Sequence, residues 1–420
     1  MLLGVIADDL TGATDVALML SREGMRVVQT VGVPAKGQPL PEADAVVVSM
    51  KSRTNPVEEA IAWSLQACEA LLASGAKQIL FKYCSTFDST DQGNIGPVAD
   101  ALMTRLGSRL TVACPAFPEN GRSVYRGHLF VGDVLLSDSP MKDHPLTPMR
   151  DANLVRVLQR QTKTPVRLVA QPIIAQGAQA VRDALQALSK DGPVMVVADA
   201  ISNQDLRILG EAMADEMLLT GGSGIALGLP DNFRRAGLLA SNKTASSFSA
   251  PKGPAVILSG SCSAATNGQV AYAKAQGVPS LGLDPLAIAD QKQTVATVLD
   301  WAQAHLGNKP CLIYSTAHPE AVKQVQERLG RDQSGQLIEH LLAEVAHALF
   351  EAGARRFVVA GGETSGAVVQ GLGVSLLEIG PEIDPGVPWT KAADGKPIAL
   401  ALKSGNFGTE DFFLKALAML

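Results

Sequence analysis

The sequence predicts an α/β protein: two α/β domains with mainly parallel sheets, helices on both faces, and a ligand cleft between them. Three observations carry that expectation. Short β-branched runs alternate with longer amphipathic segments, the pattern of strand–helix–strand units. The chain has 420 residues, more than one hydrophobic core usually supports. The polar, Pro/Gly/Ser-rich stretch NKTASSFSAPKGP (242–254) interrupts the alternation, and a second series begins behind it. The expected domains are therefore 1–241 and 255–420, with a linker at 242–254.

Taken in order, LLGVIA (2–7) is apolar and reads as a buried strand, followed by GATDVALMLSREG (12–24), a helix that Gly24 closes. DAVVVSM (44–50) is the next strand. The helix behind it is strongly punctuated: Asn55 suits the cap, Pro56 the first helical position, Glu58 and Glu59 the positive end, and Gly75 the stop. Ile61, Leu65, Cys68 and Leu72 make its expected buried stripe. QILFKY (78–83), a helix from about Pro97 to Leu106, and LTVAC (110–114) continue the alternation. Residues 118–150 break it with turns, short strands and the prolines of SDSPMKDHPLTPM, so this stretch reads as a functional loop or lid. Strands resume at VRLVA (166–170) and PVMVVAD (193–199). The second series has strands at AVILSG (255–260), CLIYS (311–315), RFVVAG (356–361) and IALALK (398–403).

Composition excludes several classes. Apolar residues make up 46% of the chain, enough for packed cores rather than a disordered polymer. The formal net charge is −5 and no Lys/Arg stripe appears, which argues against nucleic acid as a partner. No run of 18 apolar residues exists, so no membrane span is expected. The short apolar N-terminus lacks the charged region of a signal peptide. The cysteines (Cys68, Cys84, Cys114, Cys262 and Cys311) are odd in number and form no CxxC pair. That argues against a disulfide framework or structural zinc, and for a reduced, cytoplasmic setting.

Three strand ends in the second domain share one design. AVILSGSCSAATNGQ, RFVVAGGETSGAVVQ and IALALKSGNFGTEDFF each run strand, Gly/Ser turn, helix. Glycine in such a turn lets backbone approach a ligand, and the helix N-terminus behind it offers unpaired N–H groups and partial positive charge. Together they make a phosphate site, and three in one domain point to a phosphate or nucleotide site. A single Gly-rich turn can instead reflect a chain that must bend. The sequence contains neither GxxxxGK[ST] nor a GxGxxG after a strand, so the site is not of the Walker or standard dinucleotide type. Lys403 is the one cation placed to neutralise phosphate; the bland alternative is a solvated lysine.

The first domain gathers acids and bases at its strand ends. Asp8 and Asp9 follow the first strand, Lys51 and Arg53 the second, and Lys82 lies near the end of the third with Asp88 behind it. His128 lies in PENGRSVYRGHLFVGD. Each has a structural alternative: Asp8 or Asp9 as a helix cap, Asp88 as a turn holder, His128 as a packed or surface histidine. The combination favours function. Arginine offers a bidentate fork to a carboxylate, and a hydroxyl that attacks phosphorus benefits from a carboxylate that takes its proton. Phosphoryl transfer also calls for charge neutralisation, usually by Mg²⁺. An acidic, hydroxylated substrate plus ATP fits the set.

Long motifs carry a resemblance: GVIADDLTGATD, KYCSTFDSTDQGNIGP, CPAFPENGRSVYRGHLFVGDVLL, HPLTPMRDANLVRVLQRQ, SGSCSAATNGQ, VVAGGETSGAVVQGLG and LKSGNFG. Through them the chain resembles the four-carbon acid sugar kinase family over nearly its whole length. The resemblance implies an N-terminal sugar-acid-binding domain, a C-terminal nucleotide-binding domain, and ATP-dependent phosphorylation of the 4-hydroxyl of a four-carbon sugar acid. It implies ATP contacts at Ser259, Gly361, Gly362, Glu363, Thr364 and Gly405, and substrate contacts among Asp8, Asp9, Arg53, Lys82 and Asp88.

On that basis Arg53 and Lys82 are expected to hold the substrate carboxylate, with Asp88 and His128 in the substrate set. Asp8 and Asp9 are expected to be catalytic, one as base or orienter of the 4-hydroxyl and the other binding hydroxyl or Mg²⁺. The expected acid is 3-oxo-tetronate, with D-threonate or D-erythronate as the alternative. A non-catalytic sugar-acid sensor is the alternative of another class. The missing dinucleotide fingerprint argues against a nicotinamide dehydrogenase. The oligomeric state stays open, a homodimer among the options, as does the choice between a lid and a subunit contact for 134–150.

Overall fold

The apolar runs of the first half pair side by side in one direction. In chain order the strands of this half are β1 (Leu3–Ala7), β2 (Val27–Val31), β3 (Ala45–Ser49), β4 (Gln78–Lys82), β5 (Leu110–Cys114), β6 (Arg122–Tyr125), β7 (His128–Val131), β8 (Val134–Leu135), β9 (Val166–Val169), β10 (Val194–Ala198) and β11 (Leu218–Gly221), with β6, β7 and β8 in a small sheet of their own. The computed structural model describes residues 1–37, 39–144, 146–240, 248–307, 309–317, 325 and 327–420. It divides into two compact units, Met1–Ala245 and Ser246–Leu420. Residues 242–247 of the expected linker lie outside the described residues.

The first unit orders eight strands as β2-β3-β1-β4-β11-β5-β10-β9, every neighbouring pair parallel. β1, β3, β4, β5 and β10 are buried at every position. Parallel strands covered on both faces need such unbroken apolar runs, which is why these were legible. β2 was not, because VVQTV carries two polar residues; Gln29 is nevertheless buried and donates to the Leu10 carbonyl.

Connection directions diverge at β1 and β4. The helix after β1, Leu10–Arg22, leads to β2 beyond β3, whereas the helix after β4, Ile95–Leu106, leads to β5 on the other side. Such a switch point opens a crevice at the carboxyl ends of the two strands. The register aligns Ala7 with Ser49 on one side and with Lys82 on the other. Asp8 and Asp9 therefore emerge beside Lys82.

The helix expected behind β3 spans Val57–Ala73, and Pro56 rather than Asn55 occupies its N-cap position. Asn55 instead donates through Nδ2 to Glu59. Its buried face is Ala60, Ser64, Ala67, Cys68 and Leu71, while Ile61, Leu65 and Leu72 are half-buried. Small residues bring this helix close to the sheet: a Cβ at Gly4 of β1 would lie 3.0 Å from Leu71 Cβ. Close approach thus overrode the stripe that side-chain size alone suggested.

Residues 122–135 form an antiparallel sheet, β6-β7-β8, from the stretch read as turns and short strands. The buried Asp199 carboxylate anchors its first turn by accepting from the backbone N–H groups of Arg126 and Gly127.

The second unit adds β12 (Ala255–Ser259), β13 (Ser280–Gly282), β14 (Cys311–Tyr314), β15 (Arg356–Ala360), β16 (Leu376–Asp384), β17 (Val387–Ala392) and β18 (Ala399–Lys403). Their order is β13-β14-β12-β15-β18-β17-β16. The first five are parallel, and β17 and β16 run antiparallel. Pro381 and Pro388 hid β16 and β17 from the sequence pattern, since proline argues against a strand. The core holds Trp389, Phe412 and Phe413, and the Trp389 indole donates to the Ala416 carbonyl. Among the described residues no helix is long and apolar enough to cross a membrane, and the five cysteines are free.

Candidate active site

Asp8 leaves β1 with its N–H on the Lys82 carbonyl, and its carboxylate is buried. Arg53 grips it in two parallel bonds, Nε to Oδ2 and Nη2 to Oδ1, both 2.8 Å. The same Nη2 donates to Asp9 Oδ1 at 2.8 Å, and Nη1 lies 3.6 Å from Asp88 Oδ2. Arg53 is thus the hub of three carboxylates. Asn94 fixes its loop by donating to the carbonyls of Ser52, Arg53 and Asn55.

Asp9 answers the cap question. It is the N-cap of helix Leu10–Arg22, accepting from Gly12 N–H at 3.1 Å and from the Thr11 hydroxyl at 3.0 Å. Asp8 does not cap. Asp88 also holds a turn: its φ is 44°, and its Oδ1 accepts from Thr86 Oγ1 at 2.7 Å.

Lys82 is buried, with Nζ 3.8 Å from Asp9 Oδ1, and it donates no hydrogen bond among the described residues. A Cβ at Gly12 would overlap both Lys82 Nζ and Asp9 Oδ1, so only glycine leaves room for the ammonium. On the next helical turn Asp15 is buried with its Oδ1 unpartnered. Burial pushes its carboxyl up to about 6, against the pull of Lys82.

The two leading aspartates are driven apart. Burial raises Asp8 above the usual carboxylate range despite Arg53. Burial also acts on Asp9, but Arg53, Lys82, Thr11 and the Gly12 N–H together hold it below that range. Burial and local charge thus give two adjacent carboxyl groups different affinities for protons. The Asp9 side chain is 25% exposed against 8% for Asp8, so Asp9 is the more accessible of the two.

His128 lies on β7, its Nδ1 2.8 Å from the Arg126 carbonyl and its Nε2 3.3 Å from Asn153 Nδ2. Among the described residues no hydrogen bond or ion pair joins it to the Asp8–Arg53 cluster.

In the second unit β12, β15 and β18 are neighbours, and the register aligns Ser259 with Ala360 and Ala360 with Lys403. The three Gly/Ser turns therefore leave the sheet side by side. Gly361 N–H donates to the Lys403 carbonyl, and the N–H groups of Gly260 and Ser261 both donate to Ala360. Gly361 has φ +123° at the N-cap of helix Gly362–Gly371, a conformation that side chains rarely adopt. Ser263 caps helix Ala264–Ala275 and donates to the Gly405 carbonyl. Thr266 Oγ1 donates to the same carbonyl at 2.9 Å.

Ser259 is fully buried behind this platform, its hydroxyl 2.6 Å from Thr316 Oγ1. Ser261, Ser263 and Gly405 are half-buried, Thr364 is buried, and Glu363 is exposed. Lys403 is not a solvated lysine: it is fully buried, donating to Thr266 Oγ1 at 3.0 Å and to the Gly405 carbonyl at 3.1 Å. Two helix N-termini, a backbone without side-chain bulk and several hydroxyls suit a polyphosphate. Among the described residues no group of three or more His, Cys, Asp or Glu side chains is arranged to hold a metal ion.

Sequence reasoning did not single out Gly12, Asp15, Asn94, Thr266 or Gln269. Asp15 had a signal, a lone acid in the apolar run TDVALML. Thr266 and Gln269 lie on one helix face with Ser263, and Gln269 Nε2 donates to the carbonyls of Phe407, Gly408 and Thr409. Asn94 had none, since its acceptors lie about forty positions away.

Residues 3–229 match the family model of a sugar-binding N-terminal domain, and residues 256–413 that of a nucleotide-binding C-terminal domain. The chain is 59% identical over 421 residues to a 3-oxo-tetronate kinase of Cupriavidus necator, covering 100% of this chain and 97% of that one. It is 46% identical over 419 residues to a 3-oxo-tetronate kinase of Haemophilus influenzae, with 100% of both covered. Among solved structures, a Salmonella typhimurium LT2 protein is similar at 43% identity and TM-score 0.87, covering 100% of this chain and 99% of that chain.

Proposed function

The chain belongs to the four-carbon acid sugar kinase family, and from that premise we propose that it transfers the γ-phosphoryl group of ATP to the 4-hydroxyl of 3-oxo-tetronate. One observation carries the reading in the geometry: three carboxylates and two cations converge at the switch point of the sugar-binding unit, in a chain similar from end to end to 3-oxo-tetronate kinases.

The sugar acid is bound by the first unit. Lys82, with its ammonium donors unused, takes an anionic or keto oxygen of the acid. Arg53, already bonded to Asp8 and Asp9, orients those carboxylates rather than gripping the substrate by itself. Asp9 accepts from the 4-hydroxyl and receives its proton as the oxygen bonds to phosphorus. A loose phosphoryl-transfer transition state asks little base strength of it, so a carboxylate held in its ionised form suffices. Asp8 and Asp88 keep the Arg53 fork in place.

ATP is bound by the second unit, its phosphates over Gly361, Gly362, Ser261 and Gly405, with Thr364 beneath. Ser259 supports the turn from behind through Thr316. Mg²⁺, brought in on the phosphates, would neutralise charge on the transferring group, in keeping with an ion that retains waters and phosphates rather than an all-protein cage.

A coupled ADP assay over 3-oxo-tetronate, D-threonate and D-erythronate tests the reading. The expected result is the highest kcat/KM with the 3-oxo acid. Preference for a non-oxidised acid overturns the substrate. Binding of acids without ADP from any of them overturns the kinase in favour of a sensor.

A further inference from the structure

Lys403 stands at the convergence of the three turns in the nucleotide-binding unit, and the proposed reaction gives it no role. Its position is unusual for a lysine: the last residue of a fully buried strand, itself fully buried. Its two bonds go to neutral acceptors, Thr266 Oγ1 and the Gly405 carbonyl.

The charged and titratable groups on the elements around it are turned to other tasks. Arg356 of β15 bonds the Gly253 carbonyl, and Lys391 of β17 pairs with Glu378. Lys274 of helix Ala264–Ala275 reaches the Tyr314 hydroxyl. Glu363 of helix Gly362–Gly371 is exposed, and the Cys262 thiol in the first turn is pushed up by burial. None of them acts on Lys403. A buried ammonium without a counter-ion loses hydration and gains no Coulomb attraction in return, so it tends to shed its proton. Burial alone pulls Lys403 down to about 7.

We propose that Lys403 is the charge element of the phosphate site, a positioning residue that acts on the nucleotide through the Gly405 turn and takes up a proton when the polyphosphate binds. This rests on the nucleotide assignment to the second unit. The Gly405 carbonyl that Lys403 holds is the one Ser263 and Thr266 also hold, so one ammonium ties two of the three turns together. A polyanion above those turns supplies the missing counter-charge, and the lysine then regains its proton.

Calorimetry with the full-length protein tests this without turnover, using the β,γ-methylene analogue of ATP, ADP, AMP and adenosine. At pH 8 most Lys403 side chains are neutral before binding, so the analogue should take up the larger part of one proton, read from buffers of different ionisation enthalpy. Its affinity should fall about tenfold between pH 7.5 and 8.5, because stabilisation by the charged lysine is full below its free pKa and fades above it. Lys403→Met should abolish the uptake and flatten that slope. At pH 7 it should weaken the analogue about tenfold or more, AMP less, and adenosine within about twofold. Thr266→Val, which removes one acceptor and keeps the charge, should preserve the uptake.

Wild-type binding without proton uptake and with flat affinity overturns the inference, and needs no variant to fold. Equal weakening of all four ligands by Lys403→Met also overturns it, leaving a structural lysine. Absence of binding by any nucleotide overturns the nucleotide assignment itself, and this inference with it.

Discussion

Replacing Gly12 by alanine should separate activity from stability. The methyl group would fall inside the van der Waals envelope of Lys82 Nζ and of Asp9 Oδ1, and lie 3.1 Å from Lys82 Cε. Both overlapped atoms are side-chain ends rather than backbone, so the backbone can stay where it is while the ammonium retreats by roughly 1.5 Å and Asp9 loosens its hold on Arg53 and the Gly12 N–H. Alanine is favoured over glycine within a helix by up to about 1 kcal/mol, and forced repacking costs about 1–3 kcal/mol. The net change in stability should be small, a shift in Tm within about 5 °C. Catalysis should respond far more, because misplacing reacting groups by an ångström costs about 10²-fold. The expected outcome is a fall in kcat/KM for 3-oxo-tetronate of about 10²-fold, with the ATP analogue binding as in wild type. The assays are ADP-coupled kinetics, calorimetry and a thermal melt on one preparation. Activity within about threefold of wild type would refute the placement of Lys82 and Asp9 at the reacting atoms. A loss of Tm above about 10 °C would show that Gly12 serves packing instead.

Other outcomes follow from the same geometry. Asp9→Asn keeps a good helix cap and should fold, yet turnover should drop about 10²–10⁴-fold with nucleotide binding unchanged; near-normal turnover removes Asp9 from the chemistry. Asp15 is raised to about 6 by burial, so its penalty is absent below about pH 4 and complete above pH 6. Urea unfolding should therefore show the stability of Asp15→Asn relative to wild type improving by about 2–3 kcal/mol from pH 4 to pH 8, and a difference independent of pH would contradict this. Gly260→Ala would overlap Thr364 Oγ1 and place a methyl 3.3 Å from Thr364 Cβ, a stiff β-branched neighbour. ATP-analogue affinity should weaken about tenfold while sugar-acid binding is retained, and unchanged affinity would show that the Gly260 turn does not touch the phosphates.

How far the site could be read from the chain depended on the range of each signal. Asp8 and Asp9 were visible as acids behind a buried strand, but both satisfied the cap rule equally. Backbone geometry separated them: Asp9 is extended at φ −148°, ψ 161° and captures the Gly12 N–H. Arg53 was visible as a cation, whereas its partners at Asp8, Asp9 and Asp88 come together only when β1, β3 and β4 align. Lys403 was visible as a cation near a glycine turn. Its burial was not, because that depends on β15 and β17 on either side and on the helices packed against the strand. Strand β11, Leu218–Gly221, did not declare itself because half of its four residues are Thr and Gly, although it sits between β4 and β5.

The sequence by itself determined the parallel α/β architecture and the residue types at the strand ends. Both follow from local signals: unbroken apolar runs where strands are covered on two faces, and caps, prolines and glycines where helices begin and end. Only the tertiary structure decided which aspartate caps and which one pairs wholly with Arg53, which cation keeps its donors unused, and that Lys403 lies out of water. Those outcomes depend on distance and dielectric between groups far apart in the chain, and neither is encoded at any single position.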